Sequence, residues 1–218
     1  MLFGTPQRLS RNKTPLKVFL RYQLINFTST YKYLGIKLNN TVDTNLQFDS
    51  NYKRFSSRLN LLRRIRYLLD QKTTVMLYNT MLAPIFSYCS TLSLHLTNTQ
   101  KQKLKSLESR ASCIINTTDQ QNPIKSIEAN YKLRSSILVR KCIDKLTCSN
   151  FHDYFHLLSH EKHTRNNMNT LTLPKVRTEF GRKGFFFMGA KVYNELPLSI
   201  RMEKDFDKFS NLVKSFFT

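Results

Sequence analysis

The chain has 218 residues, and its 35 Lys and Arg against 14 Asp and Glu give a formal net charge of +21. Hydrophobic residues make up 40% of the sequence, with only 5 Gly and 6 Pro, which supports a packed core and excludes a disordered or low-complexity chain. Because a compact fold with this excess of positive charge repels itself, a polyanionic partner is expected. The charge is spread along the chain, which favours nucleic acid over a membrane surface; the alternative is an ordinary solvated basic surface.

Residues 1 to 38 are predicted to form short β-strands. Residues 1 to 4 have the pattern of a strand end, and residues 31 to 38 predict another short strand before turn chemistry at Asn39-Asn40. Between them, residues 16 to 25 alternate between apolar and polar side chains, which predicts a strand with one apolar face. That face comprises Leu16, Val18, Leu20, Tyr22 and Leu24.

From about Leu46 to Leu69 the apolar spacing becomes helical, and this is the clearest amphipathic helix in the sequence. Its apolar side comprises Phe48, Tyr52, Phe55, Leu59, Leu62, Ile65 and Leu69. Its other side carries the cations Lys53, Arg54, Arg58, Arg63, Arg64 and Arg66. These cations are candidates for contact with a phosphate backbone, and the alternative is a solvated face.

Three further helical stretches are expected before residue 148. The first is capped by Thr73 or Thr74 and kinked by Pro84. The others cover about residues 98 to 115 and residues 124 to 146.

The last third of the chain differs in composition from the helical stretches before it. Residues 149 to 170 are rich in His, Asn and Thr and predict an irregular connector. Residues 171 to 218 begin extended, continue as a short helix stopped by Pro197, and end in a helix from about Asp205 to Phe217. We expect this segment to be mostly separate, and we interpret Asp205 and Asp207 as helix N-terminal capping residues.

Several stretches, taken in order, resemble one polymerase family. They are MLFGTPQRL, YKYLGIKLN, LLRRIRYLL, MLYNTMLAPIFSYC (with Tyr78, Pro84 and Tyr88), KLKSLESRASCIIN, HEKHTRNN and LPKVRTEFGRKGFFFMGAKVYNELP. Together they are similar to the C-terminal part of a non-LTR (LINE-type) retrotransposon reverse transcriptase. One departure is Ser109, which precedes Arg110 where that family commonly has Asn.

The resemblance implies an α+β fold, mainly α, with short N-terminal strands and a hairpin followed by a helical bundle. Residues 1–42 would be a remnant of the palm with a primer-grip-like hairpin, and residues 43–148 a thumb-like helical domain. Residues 149–170 would be the connector and residues 171–218 a small C-terminal segment. The implied function is that of a fragment of an RNA-directed DNA polymerase which holds the RNA template–DNA primer duplex.

The catalytic carboxylates of that family are absent from this sequence. Nucleotidyl transfer uses Asp residues that hold two divalent metals, and the family supplies a paired Asp box. The sequence has no Asp-Asp pair, and its first 100 residues contain only Asp43, Asp49 and Asp70 as acidic residues. We therefore expect no polymerase activity from this chain alone and no cofactor in it, with Mg²⁺ bound only by the missing catalytic part.

The resemblance and the charge pattern together indicate two further sets of candidate nucleic-acid contacts. In the hairpin they are Tyr31, Tyr33, Gly35 and Lys37. A glycine would let a duplex backbone approach closely, and tyrosines would stack; the alternatives are a bulge or strand packing for Gly35 and core packing for the tyrosines. Near the C-terminus they are Arg182 and Lys183, beside three consecutive Phe that are alternatively part of the core.

The spacing of cysteine and histidine residues bears on metal binding. Cys148, His152, His156, His160 and His163 recur every three or four residues, but a single Cys without a second ligand pair does not favour zinc, and we expect no metal. The other cysteines are Cys89, Cys113 and Cys142, and none forms a CxxC pair. With no N-terminal signal sequence, this predicts an intracellular protein of the nucleus or cytoplasm.

The apolar stretch from Val75 to Leu96 is interrupted by polar residues and predicts a core segment and not a membrane span. No small-molecule ligand is predicted. Two alternatives remain for the function: a free-standing basic RNA- or DNA-binding protein derived from such an element, or a decayed remnant without function.

Overall fold

The structure, a computed structural model, describes residues 1–11, 17–41, 43–93, 96–115, 126–158 and 169–217. Two small antiparallel hairpins lie near the N-terminus, and helices follow them. The predicted fold class, α+β and mainly α, is confirmed. The described chain divides into two compact units, Met1–Ser56 and Ser57–Thr218, so the division falls inside a helix and at neither 42 nor 148.

The first hairpin joins β1 (Val18–Leu20) to β2 (Gln23–Ile25), with Phe19 opposite Leu24. The single strand predicted over residues 16 to 25 is therefore wrong, and Leu16 lies outside the described residues. The chain reverses at Arg21 and Tyr22, whose φ angles are 47° and 67°. Two successive positive φ angles match the right-handed twist of a two-residue hairpin turn.

The second hairpin joins β3 (Thr30–Tyr33) to β4 (Ile36–Asn39). The prediction of one strand over residues 31 to 38 is wrong, because the chain turns at Leu34 and Gly35 with φ angles of 46° and 85°. The hairpin that the YKYLGIKLN stretch implies by resemblance is thus present. Residues 1 to 4 form no strand, although Gly4 donates its backbone N–H to Asn40 O at 3.0 Å.

A short helix α1 (Pro6–Arg11) precedes the hairpins, and the long helix α2 (Asn45–Ile65) follows them. The carboxylate of Asp43 accepts the Asn45 N–H at 2.8 Å, which supplies a partner to an N–H group at the start of α2. Asp43 also accepts from Asn39 Nδ2 at 3.0 Å, so this carboxylate links β4 to α2.

The second unit contains the end of α2 and the remaining helices. Its α-helices are α3 (Gln71–Leu77), α4 (Ala83–Ser87), α5 (Asn98–Ile115), α6 (Ile127–Ile143), α7 (Glu179–Lys183), α8 (Phe185–Asn194), α9 (Leu198–Arg201) and α10 (Phe206–Phe216). Short 3₁₀ turns cover Arg66–Leu68, Ser90–Ser93 and Ser149–Tyr154, and a π-helical turn covers Tyr78–Leu82.

The helix termini test the predicted caps. The predicted Thr73 or Thr74 cap is wrong, because the Asp70 side chain accepts the Thr73 N–H and caps α3. A π-helical turn ends immediately before α4, and Pro84 lies in the first turn of α4. The kink at Pro84 stays a prediction. The capping role of Asp205 is confirmed, since its carboxylate accepts the Lys208 N–H at 2.8 Å at the start of α10.

The C-terminal helices share a core with α6, which corrects the expectation of a mostly separate segment. This core cluster comprises Val139, Cys142, Phe155, Leu171, Ala190, Tyr193, Leu196, Ile200, Phe209 and Val213. Each of α8, α9 and α10 is too short to bury its apolar side alone, so these helices pack against one another and α6. Gly189 permits that approach, because a Cβ there would lie 3.0 Å from Val139 Cγ2.

Candidate nucleic-acid interface

The β3–β4 hairpin separates its tyrosines from its lysines. Tyr31 and Tyr33 lie on one face, and each is 59% exposed. Lys32 and Lys37 lie directly opposite each other on the other face, and both are exposed. Because like charges across a strand pair repel each other, the lysine face is suited to an anion. Lys37 is a candidate predicted from the sequence, whereas Lys32 becomes one only through the hairpin register that places it opposite Lys37.

Gly35 has a local structural role in the hairpin. Its φ of 85° lies in the left-handed region, which glycine adopts without steric cost. The tight turn therefore accounts for the glycine. The predicted close approach of a nucleic-acid backbone at Gly35 stays a prediction.

The basic side of α2 is exposed in both units. In the first unit, Lys53 and Arg54 are exposed. In the second unit, Arg63 and Arg64 are exposed, whereas the neighbouring Leu62 is 3% exposed. Helical spacing and the burial of the apolar positions hold these cations at the surface, as predicted from the sequence.

Two arginines of the predicted site bind within the second unit. Arg58 Nη1 donates to Met81 O at 2.7 Å. Arg66 donates from Nε to Ile114 O at 3.0 Å and from Nη1 to Leu69 O at 2.9 Å. The Arg58 bond ties α2 to the π-helical turn Tyr78–Leu82. The Arg66 bonds tie the 3₁₀ turn that follows α2 to α5 and to the residue that ends this turn. Arg58 and Arg66 are therefore less available to a ligand than Arg63 and Arg64.

The C-terminal candidates Arg182 and Lys183 are exposed on α7. The adjacent Phe185 and Phe186 pack against the core cluster, as the alternative interpretation of the consecutive Phe held. Phe186 also stacks on Tyr154, with ring centroids 3.8 Å apart and planes 13° from parallel. Sequence reasoning missed Tyr154, which lies 32 positions from Phe186 and becomes its neighbour only through the packing of the 3₁₀ turn on α8.

Acidic side chains neutralise part of the positive charge. Lys101 pairs with Glu128 at 2.8 Å, Lys132 with Glu195 at 3.1 Å, and Arg140 with Asp144 at 2.7 Å. With 35 Lys and Arg against 14 Asp and Glu, one-to-one pairing would still leave a large cationic excess. That excess is the main electrostatic property of this protein.

Comparison with protein-family models, curated proteins and solved structures finds no match. The function is therefore argued from the residues and their placement.

The histidines and cysteines form no metal site in the described part of the chain, where no group of three His, Cys, Asp or Glu is placed to hold an ion. His160 and His163 lie outside the described residues. The ring Nε2 of His152 lies 2.8 Å from Thr147 O, which gives it a local partner. Cys89, Cys113, Cys142 and Cys148 are free thiols. Among the described helices, none has the length and apolar character needed to cross a membrane.

The two tyrosines of the MLYNTMLAPIFSYC stretch differ in environment. Tyr78 is 5% exposed and Tyr88 is 53% exposed. Burial, with a smaller contribution from the charge of Glu108, raises the pKa of Tyr78 from 10.0 to about 12. Tyr78 is thus a core residue that stays protonated, whereas Tyr88 is open to solvent.

The raised pKa of Tyr78 predicts alkaline destabilisation. Above about pH 10 the unfolded chain releases the Tyr78 proton, while the folded chain retains it up to about pH 12, so the free energy of unfolding falls. Between about pH 9 and 11 this loss is about 1 kcal/mol. Urea unfolding should show this additional decrease in the free energy of unfolding for the parent protein and not for Tyr78→Phe. Parallel pH profiles for the two proteins would contradict the assignment.

Proposed function

We propose that this protein holds a nucleic-acid duplex by its phosphate backbone, as the C-terminal part of an RNA-directed DNA polymerase of a non-LTR retrotransposon. The observation that carries the proposal is the exposed pair Arg63 and Arg64, displayed beside the buried Leu62 at the end of α2. Guanidinium groups fit phosphate oxygens in a bidentate geometry and keep their charge at every physiological pH.

The β3–β4 hairpin supports the same proposal within the first unit. Its exposed Lys32 and Lys37 would contact phosphates, and its exposed Tyr31 and Tyr33 offer rings for stacking on a sugar or a base. The match of YKYLGIKLN to a primer-grip hairpin agrees with a role in primer holding. An intracellular site, in the nucleus or cytoplasm, belongs to the proposal because the RNA–DNA hybrid forms there.

Chemistry is no part of the proposed role. The proposal assigns the Mg²⁺-binding carboxylates to the upstream catalytic part of the polymerase. Asp43 and Asp70 instead make local contacts, with Asn39 and Asn45 and with Thr73. These carboxylates organise hairpin and helix termini.

A binding assay tests the proposal. We expect a recessed RNA–DNA hybrid to bind about ten-fold more tightly than a single strand of equal length, because a duplex presents both backbones to a surface of fixed cation spacing. Fluorescence anisotropy across a salt series would give both affinities and their dependence on salt. Each phosphate neutralised should contribute about 0.9 to the slope of log K against log salt for a duplex.

The alternatives give different results in that assay. A generic basic binder would show affinities for the two probes that differ only by their charge density. A decayed remnant would melt without cooperativity and bind weakly to both. Either result would contradict template–primer holding.

A further inference from the structure

An exposed group of aromatic rings lies where the Ser149–Tyr154 turn packs on α8. We call Phe151, Tyr154 and Phe186 the aromatic patch. Phe186 is its centre, since its ring centroid lies 3.8 Å from that of Tyr154 and 6.1 Å from that of Phe151. Tyr154 is 50% exposed and Phe151 is 39% exposed. Exposed apolar side chains that are contiguous, and not scattered singly, can mark a binding site.

The patch is rigidly supported from below. Phe155 is 6% exposed, and its ring lies 5.9 Å from that of Phe186 and 5.8 Å from that of Phe185. Phe185 and Phe186 pack against the core cluster. Tyr154 thus stacks on a ring that packs against the core, and such prior support reduces the entropy cost of binding.

The Tyr154 ring stacks nearly parallel on the ring of Phe186, with an angle of 13° between planes. Because half of the Tyr154 surface stays exposed, a flat group can add to the stack as a third layer. Nucleobases are flat, and they stack on aromatic side chains whatever their sequence.

The segment that leads into Phe186 carries a charge that fits a polyanion. Exposed cations lie along residues 175 to 183, and α7 is joined to α8 at Gly184, whose N–H donates to Gly181 O at 3.1 Å. The exposed cations of this run are Lys175, Arg177, Arg182 and Lys183, against the single carboxylate of Glu179. Asp153 is the acidic residue of the Ser149–Tyr154 turn. Positive charge therefore predominates over the turn and residues 175 to 183 taken together.

We propose that the aromatic patch binds the bases of an unpaired nucleic-acid strand, with Tyr154 as the stacking platform and Arg182 and Lys183 contacting its phosphates. The proposal goes beyond duplex holding, because it assigns a second site with a different ligand. A strand that leaves the duplex end would present such unpaired bases. A protein partner would explain the exposed rings but not the run of cations beside them.

The test compares blunt and overhanging duplexes. The parent should bind a blunt RNA–DNA hybrid with an unpaired extension of about six nucleotides more tightly than the blunt hybrid alone. Tyr154→Ala should remove about 5- to 100-fold of affinity for the extension and for a fluorescein-labelled oligodeoxythymidylate of about 12 nucleotides. Its affinity for the blunt hybrid should not change. The slope of log K against log salt should also stay constant, because stacking releases no counterions.

Matched variants separate stacking from folding. Tyr154→Phe retains the ring and should retain affinity, whereas Phe216→Ala removes a comparably exposed aromatic residue (46%) from α10 and should have no effect. If Tyr154→Ala fails to melt cooperatively, a 2-aminopurine base in the single strand gives a second measurement on the parent. Its emission should be quenched on binding, and unchanged emission would overturn the proposal.

The outcomes distinguish this inference from the proposed function. Failure to bind the blunt hybrid contradicts duplex holding, whatever the single strand does. Intact hybrid binding with equal affinity of the parent and a folded Tyr154→Ala for the single strand overturns only the inference. Self-association in sedimentation, abolished by Tyr154→Ala while single-strand binding persists, would show that a second copy of this chain covers the patch, and it too would overturn the inference.

Discussion

Replacing Arg201 by leucine is expected to lower the free energy of unfolding by about 3 to 5 kcal/mol. The Arg201 side chain is 7% exposed at the end of α9. Its guanidinium donates to Thr170 Oγ1 at 2.7 Å, to Leu196 O at 3.0 Å and to Asn169 O at 3.3 Å. Leucine would leave these acceptors without the guanidinium donor in a place that water reaches poorly, and each such loss costs about 1 to 3 kcal/mol.

The loss should also loosen the segment that Arg201 holds. Asn169 Nδ2 donates back to Arg201 O at 3.2 Å, so the two residues bind each other reciprocally. Leu171, one residue beyond Thr170, belongs to the core cluster and is 1% exposed. Removing the guanidinium therefore weakens the anchor of a buried apolar residue as well as the polar contacts.

Thermal and urea unfolding would measure this effect. For a chain of this size the midpoint temperature should fall by roughly 10 °C. The control is Arg177→Leu, the same chemical change at an exposed position, for which a change within about 0.5 kcal/mol is expected. If Arg201→Leu and Arg177→Leu have the same free energy of unfolding, the guanidinium contacts of Arg201 contribute nothing to stability.

Arg201 illustrates what the sequence could not show. In the printed chain it is one cation among 35 Lys and Arg, with no local pattern that separates it from the exposed ones. Arg66 was expected on a basic surface, yet it hydrogen-bonds carbonyl oxygens of the second unit. Whether an arginine faces solvent or bonds to the backbone depends on which loop packs beside it, and that is a long-range property.

Helices with strong periodicity were predictable. The observed bounds of α5, Asn98–Ile115, equal those expected, because apolar residues recur at helical spacing through Leu104, Leu107 and Ala111. The helix expected from residue 46 is α2 with a following 3₁₀ turn. The local spacing of apolar residues is enough to predict these helices, and their tertiary packing agrees with it.

The hairpins show where local pattern fails. Arg21 and Tyr22 adopt positive φ angles without Gly, Asn or Asp, so no standard turn signal interrupts the apolar alternation of β1 and β2. At Leu34-Gly35 the glycine is a turn signal, and the resemblance implies a hairpin there, but the local pattern of residues 31 to 38 predicts one strand. The exposed face of α2 was predictable from periodicity, whereas the stack of Tyr154 on Phe186 joins residues distant in sequence and was not.

Neutralising Arg63 and Arg64 together, as Arg63→Gln and Arg64→Gln, is expected to weaken binding of the RNA–DNA hybrid on the order of 50-fold at about 0.1 M salt. If each guanidinium neutralises one phosphate, the slope of log K against log salt should fall in magnitude by about two. Glutamine has nearly the same helix propensity as arginine, so α2 and the stability of the second unit should be retained. Anisotropy titrations across a salt series would give both quantities.

A second double variant tests whether affinity for the hybrid depends on the position of the cations or on the total charge. Lys204→Gln with Lys208→Gln removes the same two charges from exposed positions at the start of α10. If the surface of α2 holds the duplex, the α10 pair should change affinity only slightly, because separated surface charges are screened within about 10 Å at 0.1 M salt. In the first unit, Lys53→Gln with Arg54→Gln should act like the Arg63 and Arg64 pair. Equal losses for all three double variants would mean that the protein binds polyanions through its net charge alone, which would refute template–primer holding through α2.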